Sequence, residues 1–164
     1  MAERKHIPGH GFPPVIYPDS EILILRSFPS VKSREDDFYY MHPRNRFWKV
    51  LSILFQDEAF LSDSVDKKKE SLRRHRVALY DVIESCDIVG SKDASINNEK
   101  PADIKTLIKD TNVRLIALNG KKAAHLFKKN NPDLIHMSVT LPSTSPANAA
   151  FSLEDLVKDW RRIK

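Results

Sequence analysis

A chain of 164 residues with 41% hydrophobic content is long enough for one domain with a real core and too short for two ordinary ones. Lys and Arg number 27 against 22 Asp and Glu, giving a net charge of +5 and favouring a polyanionic partner such as nucleic acid. The lone cysteine, Cys86, excludes an intrachain disulfide framework, a four-cysteine zinc site and an iron–sulfur cluster held by this chain's own thiolates; no apolar run approaches membrane-spanning length.

The first twenty residues are rich in Pro, Gly and His without a sustained period, which predicts an arm or loop packed on a single domain spanning 1–164. The hydrophobic core of a secretory signal is missing from this end, so a soluble, cytoplasmic protein is expected. Glu21-Ile22-Leu23-Ile24-Leu25 is a continuous apolar run ended by Ser27-Phe28-Pro29-Ser30, the pattern of a buried parallel strand with a loop at its carboxyl end. Phe38-Tyr39-Tyr40-Met41-His42-Pro43-Arg44-Asn45-Arg46-Phe47-Trp48 follows, too polar and too broken for core. Pro43 disfavours helix at His42, so a helix is predicted from near Asn45 to Gln56, with Asn45 on local sequence alone a capping residue.

A charged helix is predicted from Val65 to Arg74, and the basic run Lys67–Arg76 is expected to be mainly a solvated face, because no aromatic residue interleaves it. Further strands are predicted at Val77–Val82, Val113–Leu118 and Leu134–Val139, and helices at Ile104–Asp110, Lys121–Lys129 and from Ser152 onward. Cys86 is expected to be a buried small hydrophobe. Alternating strands and helices imply a parallel sheet covered on both faces, where ligands bind beyond the carboxyl ends of the strands. Ser27–Ser33, Asn119-Gly120 and Leu141–Asn148 should therefore meet.

Leu141-Pro142-Ser143-Thr144-Ser145-Pro146-Ala147-Asn148 is stiffened by two prolines and carries three hydroxyls and free amides suited to phosphate oxygens, although alone it also reads as a turn before a helix. Gly90-Ser91-Lys92-Asp93 is a small polar loop in which Asp93 is expected to be structural. The six histidines lack metal-ligand spacing, so no metal is expected, and neither a nucleophile elbow nor a phosphate-binding P-loop is present.

Taken together, in order and over nearly the whole chain, Ile22–Ser30, Tyr39–Trp48, Leu79–Val82, Gly90–Asp93, Asn119-Gly120 and Leu141–Asn148 resemble the uracil-DNA glycosylase superfamily, within it the hypoxanthine-DNA glycosylase branch. The resemblance implies an α/β fold, a three-layer α/β/α sandwich around a four-stranded parallel sheet. It also implies a monofunctional glycosylase that flips a deaminated base out of DNA and hydrolyses its bond to deoxyribose, needing no cofactor. In this reading Asn45 positions the attacking water. Ser27, Phe28, Pro29, Ser30, Tyr40 and Asn119 form the base pocket, with Phe28 and Tyr40 as stacking rings. Ser143, Thr144, Ser145 and Asn148 hold the flanking DNA backbone or enter the duplex groove, with Lys32 and Arg44 as further phosphate contacts. A monomer is expected.

Many members of the superfamily carry a catalytic Asn or Asp in the first motif, which here reads Arg26-Ser27-Phe28-Pro29-Ser30 and offers neither. Arg26 also replaces the Gly with which that motif usually begins. Such a side chain either narrows the pocket, reaches a phosphate or marks reduced activity. The sequence leaves open a uracil preference, and also a weakly catalytic DNA-binding protein.

Overall fold

The computed structural model describes residues 3–7, 12–36 and 38–164. In chain order the regular elements are β1 (Arg4–Ile7), β2 (Ile22–Arg26), α1 (Val31–Asp36), α2 (Phe47–Phe55), α3 (Val65–Arg74), β3 (Val77–Asp81), β4 (Ile83–Val89), β5 (Asn97–Pro101), α4 (Ile104–Ile108), β6 (Leu115–Asn119), α5 (Lys121–Asn130), β7 (Ser138–Leu141) and α6 (Leu153–Trp160). The strands β3, β2, β6 and β7 lie side by side in that order, every neighbouring pair parallel.

All five residues of β2 are buried, as a central parallel strand requires when helices cover both faces. Its alternate side chains serve two cores. Ile22 and Ile24 join Val77, Leu79, Trp48, Leu51 and Trp160 on the side of α2, α3 and α6. Leu23 and Leu25 join Ala78, Leu118, Ile104 and Phe127 on the side of α4 and α5. The expected three-layer α/β arrangement around four parallel strands is therefore the observed one.

Helix α2 follows from Phe47, Val50, Leu51 and Leu54, spaced to form one buried face, and ends where Gln56 turns left-handed at φ 51°. Helix α6 starts in a capping box: the Ser152 hydroxyl accepts from the Asp155 N–H while the Asp155 carboxylate accepts from the Ser152 N–H.

Five expectations need correction. The stretch Phe38–Trp48 is not excluded from the core: Phe38, Tyr39, Tyr40, Phe47 and Trp48 are all buried in it, because their rings pack on one another while the polar residues between them turn to the surface and the cleft. The fourth strand is not Leu134–Val139: residues 132–137 form tight 3₁₀ turns, and β7 begins at Ser138. Pro132 opens those turns and Leu134 anchors them in the core, so an apolar run that looks like a strand is used as a turn. The first twenty residues are more than an arm. Arg4–Ile7 pairs antiparallel with β4, and Val15 bridges Leu79 through hydrogen bonds in both directions. The Pro8-Gly9 break and His10 lie outside the described residues.

A second sheet, β1-β4-β5, was not anticipated, because Arg4–Ile7 and Asn97–Pro101 are polar or charged edge strands without an apolar signature. Finally, Lys68 does not belong to a solvated face. It is buried, donates to the Ser62 carbonyl and lies 5.1 Å from the Trp48 ring centroid.

Candidate active site

At the carboxyl edge of the parallel sheet lies an open cleft of about 410 Å³, within the size range of small-molecule sites. It is walled by Arg26, Ser27, Phe28, Ser30 and Ser33, by Tyr40, His42 and Asn45, by the Ser91–Asp93 loop, by Asn119 and by Ser143–Ala147. A smaller hollow of about 170 Å³, between Phe12–Tyr17 and Phe38, is lined mainly by apolar side chains and offers no comparable group for chemistry. Of the residues expected to form the site, Ser27, Phe28, Ser30, Tyr40, Asn45, Asn119, Ser143, Thr144 and Ser145 line the larger cleft. Pro29, Lys32, Arg44 and Asn148 do not.

Asn45 sits one residue before the helix cap position. Its amide oxygen accepts the Phe47 N–H at 2.9 Å, so the side chain does cap α2, although the capping residue by backbone position is Arg46. An amide oxygen has two lone pairs, and one remains for a water in the cleft. Next to it, the Arg44 N–H donates to His42 Nδ1 at 3.1 Å, which leaves Nε2–H as the donor of the neutral ring.

Arg46 ties this corner to the opposite wall. Its backbone N–H donates to the Thr144 carbonyl, and its guanidinium donates to the carbonyls of Phe151, Ser145 and Asn148. Sequence reasoning treated Arg46 only as part of the aromatic stretch. Here it is what fixes the Pro-bounded loop against the head of α2.

That loop is also sewn to β6. Asn119 donates through Nδ2 to Thr144 Oγ1 at 3.1 Å and accepts from the Thr144 N–H at 3.0 Å. Thr144 is fully buried, which turns an expected phosphate contact into a support beneath the loop. Asn148 likewise turns inward, donating through Nδ2 to the Ser143 carbonyl. Gly120, at φ +100°, lets the chain pass under Ser143, whose Cβ would lie 3.1 Å from an added methyl. Gly120→Ala is therefore expected to cost about 1–3 kcal/mol from backbone strain and loop displacement, readable as a lowered urea midpoint with an unchanged m-value.

The pocket floor is aromatic. Tyr40 stacks on Phe47 with centroids 3.8 Å apart and adopts a left-handed backbone at φ 57°, an uncommon conformation for a bulky residue and one found at constrained functional sites. Its hydroxyl is buried near Asn119 but makes no well-directed hydrogen bond, and burial raises its pKa, so the phenol stays protonated. Phe47 covers one face of Tyr40, and Phe28, itself buried with the Arg34 guanidinium 5.7 Å from its ring centroid, is the second ring lining the cleft.

Ser27 donates to the Asp93 carboxylate, and Ser30 Oγ accepts the Ser33 N–H at the start of α1. Asp93 is exposed as a residue, yet its carboxyl faces the cleft wall. Desolvation there raises its pKa above the ordinary Asp value, against the Ser27 hydrogen bond and the charge of Lys122. The folded state thus holds this proton more tightly than the unfolded chain, and stability falls as pH rises through the window above the ordinary Asp pKa. Asp93→Asn is expected to raise the melting temperature at about pH 7 and to give no gain at about pH 3. A scan of both proteins at the two pH values checks it.

The sharpest departure is Arg26. Its guanidinium does not reach outward: Nε and Nη2 donate to the two oxygens of Asp81, its partner in the β2–β3 register, and Nη1 donates to Ser33 Oγ at 3.3 Å. Cζ lies 4.3 Å from the Tyr39 ring centroid and 5.3 Å from that of Tyr40. The reading of Arg26 as a phosphate contact is thereby replaced by a buried ion pair that leaves the cleft open. Arg26 itself lines the cleft, and His42, Ser91 and Lys92 line it without having been assigned to it from the sequence. Among the described residues, no cluster of three or more His, Cys, Asp or Glu side chains is placed to hold a metal ion.

Comparisons with known proteins agree with this architecture. The hypoxanthine DNA glycosylase of Methanosarcina acetivorans is 33% identical over 158 residues, covering 93% of this chain and 96% of that protein. The enzyme of the same name from Methanosarcina barkeri is 36% identical over 115 residues, covering 69% of this chain and 72% of that one. The solution NMR structure of a candidate uracil DNA glycosylase from M. acetivorans superposes with a TM-score of 0.77 at 31% identity, over 97% of this chain and 99% of that one. The profile of the uracil DNA glycosylase superfamily matches residues 13–164, nearly the whole described chain. With the parallel sheet, the cleft at its carboxyl edge and these likenesses together, the chain belongs to the uracil DNA glycosylase superfamily.

Proposed function

We propose that the protein is a monofunctional DNA N-glycosylase that extrudes a deaminated base, above all hypoxanthine from deoxyinosine, into the cleft and hydrolyses its bond to deoxyribose. The relatives named as hypoxanthine DNA glycosylases, one of them similar over nearly the full chain, support this choice of base. The observation that carries the chemistry is Asn45, whose amide oxygen is fixed at the cleft by the Phe47 N–H.

Extrusion costs a few kcal/mol, offset by stacking on Phe28 and polar contacts inside the cleft. As the glycosidic bond breaks, positive charge builds on the sugar. The second lone pair of the Asn45 oxygen accepts a hydrogen bond from water and orients it towards the anomeric carbon, while the amide dipole favours the developing charge without needing a strong base. The departing purine carries the bonding electrons and takes up a proton from solvent, while the attacking water loses one to solvent as the abasic sugar forms. The protein's own residues supply these steps, and no cofactor enters them.

Ser143 and Ser145, held by Arg46 and Asn119, face the flanking backbone, with Lys32 and Arg44 on the outside as phosphate contacts. No helix among the described residues is long and apolar enough to cross a membrane. The whole chain acts as one glycosylase domain, a monomer working on DNA in the cytoplasm. Duplexes carrying deoxyinosine, deoxyuridine or deoxyxanthosine, treated with protein and then alkali, test the reading. Alkali-dependent breaks fastest at deoxyinosine are expected, and no break at any of the three would contradict it.

A further inference from the structure

Deamination of adenine replaces a 6-amino group, a hydrogen-bond donor, with a 6-oxo group, an acceptor. A pocket that offers only donors at that position can therefore separate the damaged base from its parent. Arg26 has this character. A guanidinium carries five N–H donors and no acceptor. Here Nε and Nη2 each give one to Asp81 and Nη1 gives one to Ser33.

One N–H on each terminal nitrogen is left without an acceptor among the described residues. The side chain is more than nine-tenths buried and lines the cleft. Tyr39 and Tyr40 contact the guanidinium as rings, restraining its plane without accepting those N–H groups as an oxygen would. Asp81, fully buried, holds the other edge of the fork side-on. The fork is thus both pre-oriented and incomplete, and an incomplete buried fork fits a ligand with neighbouring acceptors.

We propose that Arg26 is a specificity-determining residue, presenting its two spare N–H groups to acceptors on the extruded base. On a 6-oxopurine those acceptors are O6 and N7, the same pair that Arg reads on guanine in duplex DNA. An amino group in place of O6 sets donor against donor and leaves both unsatisfied. This deepens the glycosylase reading and rests on it.

The test uses the full chain and duplexes with a 2′-fluoro nucleotide that can be bound but not cleaved, bearing either hypoxanthine or unsubstituted purine, which lacks O6. The parent protein is expected to bind the hypoxanthine duplex about 10- to 100-fold more tightly than the purine duplex. The paired variant Arg26→Gln, Asp81→Asn removes both charges together and is expected to lose most of that ratio. If its circular dichroism shows it unfolded, Arg26→Lys takes its place, keeping a charge opposite Asp81 while losing the planar fork, with the same expected loss.

A parent without the preference, or a folded variant that keeps it in full, overturns the inference. Cleavage of unblocked deoxyinosine is read separately. A parent that cleaves it without Arg26-dependent selectivity retains the proposed function and loses this inference. One that binds hypoxanthine selectively without cleaving it does the reverse.

Discussion

Asn45→Ala is expected to slow hypoxanthine release by about 10²- to 10³-fold under single-turnover conditions, the usual cost of removing one fixed dipole from a charge-separating step. The same change removes the cap on the Phe47 N–H, worth about 0.5–2 kcal/mol. The stability loss is modest because Phe47, Trp48, Val50, Leu51 and Leu54 still bury the helix face. Rate and melting temperature should therefore separate, with a large fall in the first and a small one in the second. Asn45→Asp sharpens the distinction, since a carboxylate keeps an acceptor for the Phe47 N–H and is favoured at a helix N-terminus. A variant that regains the melting temperature but not the rate would show that capping and catalysis are separate duties of one side chain. If Asn45→Ala releases the base as fast as the parent, the water-positioning group lies elsewhere in the cleft.

Asp81→Ala is expected to lower stability by about 3–5 kcal/mol, because it leaves the Arg26 charge buried without its counter-ion. For a chain of this length that corresponds to a fall in melting temperature of roughly 6–20 °C. The pair sits across adjacent strands, with side-chain exposures of 7% for Arg26 and 0% for Asp81, so solvent cannot take over the missing interaction. The cost belongs to the orphaned charge rather than to the pair itself. Arg26→Met combined with Asp81→Leu should accordingly be close to neutral in stability or better. Thermal melts of the single and double variants check both statements. A single variant within about 1 kcal/mol of the parent would mean that Arg26 finds solvent or another acceptor.

The contrast between these two residues also says how far the sequence could be read. Asn45 was legible because it stands between Pro43 and an apolar helical period, where a polar side chain has a restricted set of positions. The parallel strands were legible from continuous aliphatic runs at Ile22–Leu25 and Leu115–Leu118, as was the meeting of Ser27–Ser30, Asn119 and the 141–148 loop at one sheet edge. Arg26 was visible as a departure, but its role depended on register: only the alignment of Arg26 with Asp81 turns an outward cation into a buried pair.

The supporting roles of Thr144 and Asn148 were not legible for a related reason. Hydroxyl and amide side chains serve loops and ligands with the same atoms, and Asn119 and Ser143 claimed them first. The polar strands β1 and β5 gave no period because the sheet they form with β4 presents much of itself to solvent. In the 132–137 segment, the anchoring of Leu134 overrode strand propensity.

In the proposed reaction the cleft breaks a glycosidic bond rather than a phosphodiester. Mass spectrometry of the products from a duplex with one deoxyinosine measures this directly. Free hypoxanthine and an abasic site in equal amounts are expected, on a strand that stays intact until alkali is added. A nicked strand with hypoxanthine still attached, or an unchanged substrate under enzyme excess, would contradict it.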